Sequence, residues 1–389
     1  MATSPSARSG PRVPANDFAR QWQDLRGALT AAFEDVGASG WYVLGREVAA
    51  FEESLARMWG VGHAVGVASG LDAIEISLRL LGCGPGDKVL TTPLSAFATT
   101  LAILKLGAMP VFADCDESGL ISLDACERLL EGAPEIRYFV PVHLYGHSLD
   151  LDRLEALRDR FGLKIVEDCA QSIGARWRGR VSTRATGTVG QVAATSFYPT
   201  KNLGAFGDGG AILTSDPELA QGARQLRDYG QSAKYRHEFV GYNSRLDELQ
   251  AALLGRVLLP RLAGWIERRR EIARKYIAGL SYGSIAPFHQ PEGSESSWHL
   301  FPVAVAPERK AAFMEHLKNR GIGAGEHYPV AIPDQPAMVR RTTPHGNSED
   351  HGCPLARNLC ASEVSLPIHP YLTDEEVQYV IDVCNDWRA

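Results

Sequence analysis

Leu163-Lys164-Ile165-Val166-Glu167-Asp168-Cys169-Ala170-Gln171-Ser172 is the stretch on which the fold turns. Leu163 to Glu167 reads as a short apolar strand, and Leu151–Phe161 before it as an amphipathic helix. The same rhythm extends upstream. His63–Val67, Lys88–Thr92, Pro110–Asp114 and Arg137–Val142 read as strands, and Leu71–Leu81, Phe97–Leu106 and Leu123–Glu131 as the helices between them. Strands alternating with helices predict an α/β fold with a mostly parallel, doubly wound sheet.

The flanks set the domain organisation. Residues 1–14, rich in Ala, Ser, Pro and Arg, read as a disordered leader without the apolar core of a signal peptide. Residues 15–255 form the large domain, opening with amphipathic helices over Asp17–Thr30 and Glu47–Ala56. Arg245–Tyr276 is helical in pattern, with Pro260 as a break, and Asn243 or Ser244 as its cap. Residues 256–389 form a smaller α+β domain. Within it Trp298–Val305 reads as a strand, Ala306–Arg320 as a helix ended by Gly321, and Thr373 with Glu376 as a capping box on a last helix. His345–Asp350 reads as an exposed loop.

A chain of 389 residues can build two cores. A net charge of −6 leaves no basic footprint for nucleic acid, and no apolar run approaches a membrane span. Seven scattered cysteines without a CxxC pair argue against zinc and for reduced thiols in the cytoplasm. Gly82-Cys83-Gly84-Pro85-Gly86-Asp87 imitates a dinucleotide-binding loop, but it follows a helix and precedes a strand. That order is the reverse of what a dinucleotide needs, so the segment reads as a turn.

Chemistry concentrates at four places. Asp168 ends a parallel strand, where ligands of open α/β sheets bind. Gln171 follows three residues on. Lys201 lies in Ser196-Phe197-Tyr198-Pro199-Thr200-Lys201-Asn202-Leu203-Gly204, whose apolar, glycine-rich flank can desolvate an amine. Ala68-Ser69-Gly70-Leu71-Asp72-Ala73 joins a strand to a helix, whose free N–H groups can hold a phosphate. A lysine for a Schiff base and a carboxylate for a pyridine nitrogen are the minimum that pyridoxal phosphate chemistry asks of a protein. Each motif alone has a bland reading: a surface lysine, a helix cap, an ordinary turn. His143 and His327, taken singly, read as structural histidines.

Read together and in order, these stations resemble the DegT/StrS-type sugar-nucleotide aminotransferases, pyridoxal 5'-phosphate enzymes of fold type I. The resemblance runs from Ser39-Gly40-Trp41-Tyr42-Val43-Leu44-Gly45 to Leu366-Pro367-Ile368-His369-Pro370. It includes Pro141-Val142-His143-Leu144-Tyr145-Gly146, Gly241-Tyr242-Asn243-Ser244-Arg245 and His327-Tyr328-Pro329. It implies Lys201 as Schiff-base lysine and proton shuttle, Asp168 as partner of the pyridine nitrogen, and Gln171 as contact to the ring hydroxyl. Gly70, Leu71 and Ser196 would hold the phosphate, joined by Asn243 from the second subunit of a homodimer. Phe97 is the aromatic residue beside Ala96, where many relatives carry the residue that stacks on the ring. His143, Tyr235, His237, His327 and Tyr328 would contact the sugar nucleotide. The implied reaction moves an amino group from L-glutamate to a dTDP-linked 3-keto-6-deoxyhexose. A 4-keto-sugar or cyclitol aminotransferase is the alternative, followed by a non-catalytic regulator that binds the cofactor. Lys201 argues against a family dehydratase, in which histidine commonly replaces the lysine.

Overall fold

Eight strands make the central sheet of the computed structural model, which describes residues 11–281, 283–339, 349–350 and 352–387. Across the sheet they run His63–Val67, Gly210–Thr214, Val192–Ser196, Lys164–Asp168, Tyr138–Val140, Lys88–Thr91, Met109–Phe112 and Glu349–Asp350. Only Gly210–Thr214 runs against the others. The mostly parallel, doubly wound α/β expectation therefore holds. Apolar clusters cover both faces, so Ile165 to Asp168 is buried without alternation, as parallel strands require.

The direction of the strands fixes the position of the site. His63–Val67, Val192–Ser196 and Lys164–Asp168 point the same way, and their register is close: Asp168 pairs with Ala194, Ser196 with Gly210, and Gly210 with Val67. Asp168, Ser196 and the Ser69–Gly70 turn thus emerge at one edge of the sheet.

Helix Leu151–Phe161 has the expected bounds. Asp150 caps it, and Gly162 in the left-handed region closes it. The long helical segment breaks around Pro260 into a wide turn over Leu253–Leu258, a tight turn over Leu259–Arg261, and the helix Leu262–Gly279. Ile285–Pro287, Phe301–Val305 and Glu363–Leu366 form the antiparallel sheet of the smaller core, with helices Lys310–Asn319 and Asp374–Asn385 beside it. The Thr373–Glu376 capping box is present.

Three boundary expectations need correction. Val13 is no leader residue: it is fully buried in the smaller core and bridges Ile322. Residues 331–338 and 353–360 return to the large domain, where Ile332, Met338, Ala356 and Leu359 join its core. Asp114 fixes that return by accepting from Leu355 N and Ala356 N, both at 2.9 Å. Glu349 and Asp350 extend the sheet beside Val111 and Phe112 in place of an exposed loop, while His345–Ser348 lie outside the described residues.

A remote carboxylate caps helix Arg46–Trp59, whose own N-cap, Gly45, has no side chain to do so. Buried Glu248 accepts from Gly45 N at 2.7 Å, Val48 N at 2.8 Å and Glu47 N at 3.0 Å. Glu248→Ala strands those donors away from water. It should cost about 2–4 kcal/mol of stability, seen as a lower urea midpoint. An unchanged midpoint would contradict this role.

Candidate active site

The helix Gly70–Leu80 begins against the end of strand Val192–Ser196. Ser69 caps it, accepting from Asp72 N at 3.1 Å. A Cβ on Gly70 would lie 2.6 Å from Ser196 Cβ, and one on Gly210 would lie 2.4 Å from Ser69 O. Glycine is required at both positions for the turn and the strand end to approach so closely. The result is a cup with a helix N-terminus on one side and the Ser196 hydroxyl on the other, suited to an anion. Ser244 does not cap the later helix as expected. It donates to Asp72 Oδ2 at 2.7 Å and accepts from Ala68 N at 3.1 Å, bracing this same turn.

Asp168 sits at the adjacent strand end, 4% exposed. Oδ2 accepts from Thr99 Oγ1 at 2.8 Å and Oδ1 from Ala170 N at 3.0 Å. Burial nevertheless pushes its pKa up. The Ala170 and Thr99 hydrogen bonds, Lys201 and His143 only offset that rise. A buried carboxylate whose surroundings leave it short of positive charge is a fit partner for a protonated pyridine nitrogen. Thr99 went unnoticed in the sequence, although a buried hydroxyl in an apolar helix was the available signal.

Lys201 is partly buried in the loop after strand Val192–Ser196. Burial lowers its pKa from the usual lysine range to about 8, with the Asp168 carboxylate pulling the other way. Its neutral amine therefore becomes the major form above about pH 8. In the cofactor-free protein, trace acetylation followed by peptide mass spectrometry should place the midpoint of Lys201 labelling near pH 8. A midpoint near the ~10.4 of a free lysine would refute the desolvated setting.

Gln171 is buried; its Oε1 accepts from Tyr145 N at 2.8 Å and its Nε2 donates to the Tyr328 hydroxyl at 3.1 Å. The Tyr145 hydroxyl in turn donates to His327 O at 2.8 Å. This chain of bonds holds His327 and Tyr328 against the large domain. Phe97 opens the helix Phe97–Lys105 and packs, partly buried, against the same apolar cluster as Tyr328.

His143 is corrected as a substrate contact. It is fully buried, with Nε2 2.9 Å from Glu167 Oε2 and Nδ1 accepting from Leu149 N at 3.2 Å. Glu167 also accepts from Gly187, Val189 and Gly190 N–H groups. Burial opposes its charge, but the bonds from His143 and the backbone outweigh it and hold the pKa low. The pair is an internal brace beneath Asp168. Tyr235, His237 and Asn243 are exposed on or beside the hairpin Gln231–Ala233/Arg236–His237. Their contacts are local: His237 Nδ1 lies 3.0 Å from Tyr229 O, and Asn243 bridges Asp228.

Residues 23–385 match the DegT/DnrJ/EryC1/StrS aminotransferase family. The chain belongs to that family. It is 44% identical over 381 residues to the dTDP-3-amino-3,4,6-trideoxy-alpha-D-glucose transaminase of Streptomyces venezuelae, covering 97% of this chain and 96% of the relative. It also superposes on S. venezuelae DesV, solved in complex with a ketimine intermediate. There the TM-score is 0.90 and the identity 42%, over 97% of this chain and 98% of the other. NtdA of Bacillus subtilis, solved with bound cofactor PMP, matches at TM-score 0.83 and 27% identity, over 98% of this chain and 86% of the other. The fold and family read from the sequence are therefore correct, and this family member is an aminotransferase.

Proposed function

We propose that this aminotransferase moves the amino group of L-glutamate onto a dTDP-linked 3-keto-6-deoxyhexose, using pyridoxal 5'-phosphate in a homodimer with shared active sites. The observation that carries the reading is the pairing of a desolvated Lys201 with a buried Asp168 beside the Gly70 cup. The similarity to a transaminase of a dTDP-3-amino sugar supports the choice of substrate.

When bound, the cofactor supplies an electron sink for the carbanion left by proton removal. The chain's own groups do the rest. The Gly70 and Leu71 N–H groups and Ser196 Oγ would hold the phosphate. Gln171 would contact the ring hydroxyl, and Phe97 would cover the ring. Asp168 would favour the protonated form of the ring nitrogen. As the neutral amine, Lys201 Nζ takes a proton from the Cα of glutamate; as the ammonium, it returns one to the sugar carbon that receives nitrogen. Two such half-reactions give ping-pong kinetics.

Asn243, Tyr235 and His237 reach a phosphate and a sugar nucleotide only from a second copy of the chain. Exposed Phe18, Trp22, Phe33, Trp41, Tyr42 and Phe206 favour such a pairing. His327 and Tyr328 line the sugar side. A panel of dTDP-linked 3-keto and 4-keto sugars with glutamate tests the assignment. Preference for the 4-keto substrates would overturn the position of amination, and a monomer by sedimentation would overturn the shared site.

A further inference from the structure

Glu363, Ser365 and His327 form a closed hydrogen-bonded loop at the edge of the smaller domain. Glu363 is 1% exposed. Its Oε2 accepts from His327 N at 2.6 Å, and its Oε1 from Ser365 Oγ at 2.5 Å. Ser365 Oγ is also 2.9 Å from His327 Nδ1. A serine hydroxyl has one proton to give. Ser365 gives it to Glu363, so it can meet Nδ1 only as an acceptor, and Nδ1 must carry hydrogen. Burial and the nearby Lys201 push the His327 pKa down to about 4, so the ring is neutral and holds no second proton. Nε2 is then a bare lone pair, on a ring that lines a cavity with Thr200, Arg269 and His299.

We propose that Glu363 and Ser365 are positioning residues that fix His327 in its Nδ1–H form, so that Nε2 accepts a hydrogen bond from a hydroxyl of the sugar substrate. The role toward substrate rests on the function proposed above; the tautomer does not.

The loop also has a second state. If Glu363 takes up a proton, it donates to Ser365, and the serine hydroxyl turns to donate to Nδ1. The imidazole then carries its single proton on Nε2, after exchange with solvent, and the acceptor becomes a donor. One proton is taken up in all, on Glu363. Burial raises the Glu363 pKa to about 7, against the opposing pull of Ser365, His327 N and Lys310. Glu326, ion-paired to Lys310 at 2.6 Å, adds to the rise. Tyr145, Tyr328 and Cys360 also face this carboxyl, and each is itself held protonated by burial. The acceptor form of His327 should therefore prevail above about pH 7 and give way below it.

The test is nitrogen NMR of the full-length protein labelled with 15N-histidine, with the His327 signal assigned by its loss in His327→Gln. At pH 8.5 the expected form has hydrogen on Nδ1 and a bare Nε2. Ser365→Ala should lose that preference and Ser365→Thr should keep it. Glu363→Gln should abolish its change across neutral pH. With the sugar nucleotide as varied substrate, Ser365→Ala should raise KM about tenfold while kcat moves less than about twofold, and Ser365→Thr should restore KM. An Nε2–H ring at pH 8.5 in the unaltered protein, or a tautomer indifferent to Ser365→Ala, would overturn the relay. The expected tautomer with an unmoved KM would overturn its role toward substrate. If no keto-sugar nucleotide is aminated, the proposed function fails separately, and the spectrum still decides the tautomer.

Discussion

Lys201→Ala is expected to lower transamination by about 10⁴-fold or more while leaving the fold intact. The loss follows from the setting of the side chain. Its amine is close enough to Asp168 to feel that charge and is desolvated enough to be neutral at mildly alkaline pH, and its loop continues from Ser196 at the cup that would hold a phosphate. Alanine removes the group that moves the proton in both half-reactions. It also removes a cation that the interior solvates poorly, so stability should not fall. Steady-state turnover with glutamate and keto-sugar nucleotide, alongside circular dichroism, checks both halves. Turnover near that of the unaltered enzyme would remove Lys201 from the chemistry.

Asp168→Asn is expected to retain cofactor and to lose about 10²–10⁴-fold in kcat. Asparagine Oδ1 can still accept from Ala170 N, and its Nδ2 can donate to Thr99 Oγ1 in place of the bond Asp168 accepts, so the local packing survives. It cannot hold a positive charge on a ring nitrogen, so the acidity of the substrate Cα–H falls. Rapid-mixing measurement of the glutamate half-reaction isolates the effect. A normal rate with normal binding would mean that another group faces the ring nitrogen.

Most of the frame was legible because it rests on local rules. Helix Leu151–Phe161 came from apolar spacing, and the Thr373–Glu376 box from a four-residue pattern. The Gly82–Asp87 segment is indeed a turn, with Gly82 and Gly86 in the left-handed region. The strand end at Asp168 was legible from the short apolar run that precedes it.

What was missed depends on partners far apart in the chain. Nothing near Val13 announces that Ile322 will bury it. Glu349–Asp350 is too short to carry a strand pattern, and its pairing is supplied by Met109–Phe112. Ser244 has the composition of a helix cap, yet its hydroxyl is claimed by Asp72, 172 positions earlier. His143 was given a substrate role by resemblance. A buried carboxylate next to Asp168 in the sequence takes its ring instead. The Glu363–Ser365–His327 loop joins two strand residues to a turn 36 positions away, and no periodicity marks it.

The most direct test of the central claim is the absorbance spectrum of the purified protein with pyridoxal 5'-phosphate. It is followed as L-glutamate and then a dTDP-3-keto-6-deoxyhexose are added. A visible band that glutamate removes and the keto sugar restores is the expected result, and it reports both half-reactions at the same Lys201 site. A band that glutamate leaves untouched, or that the keto sugar fails to restore, would contradict the account.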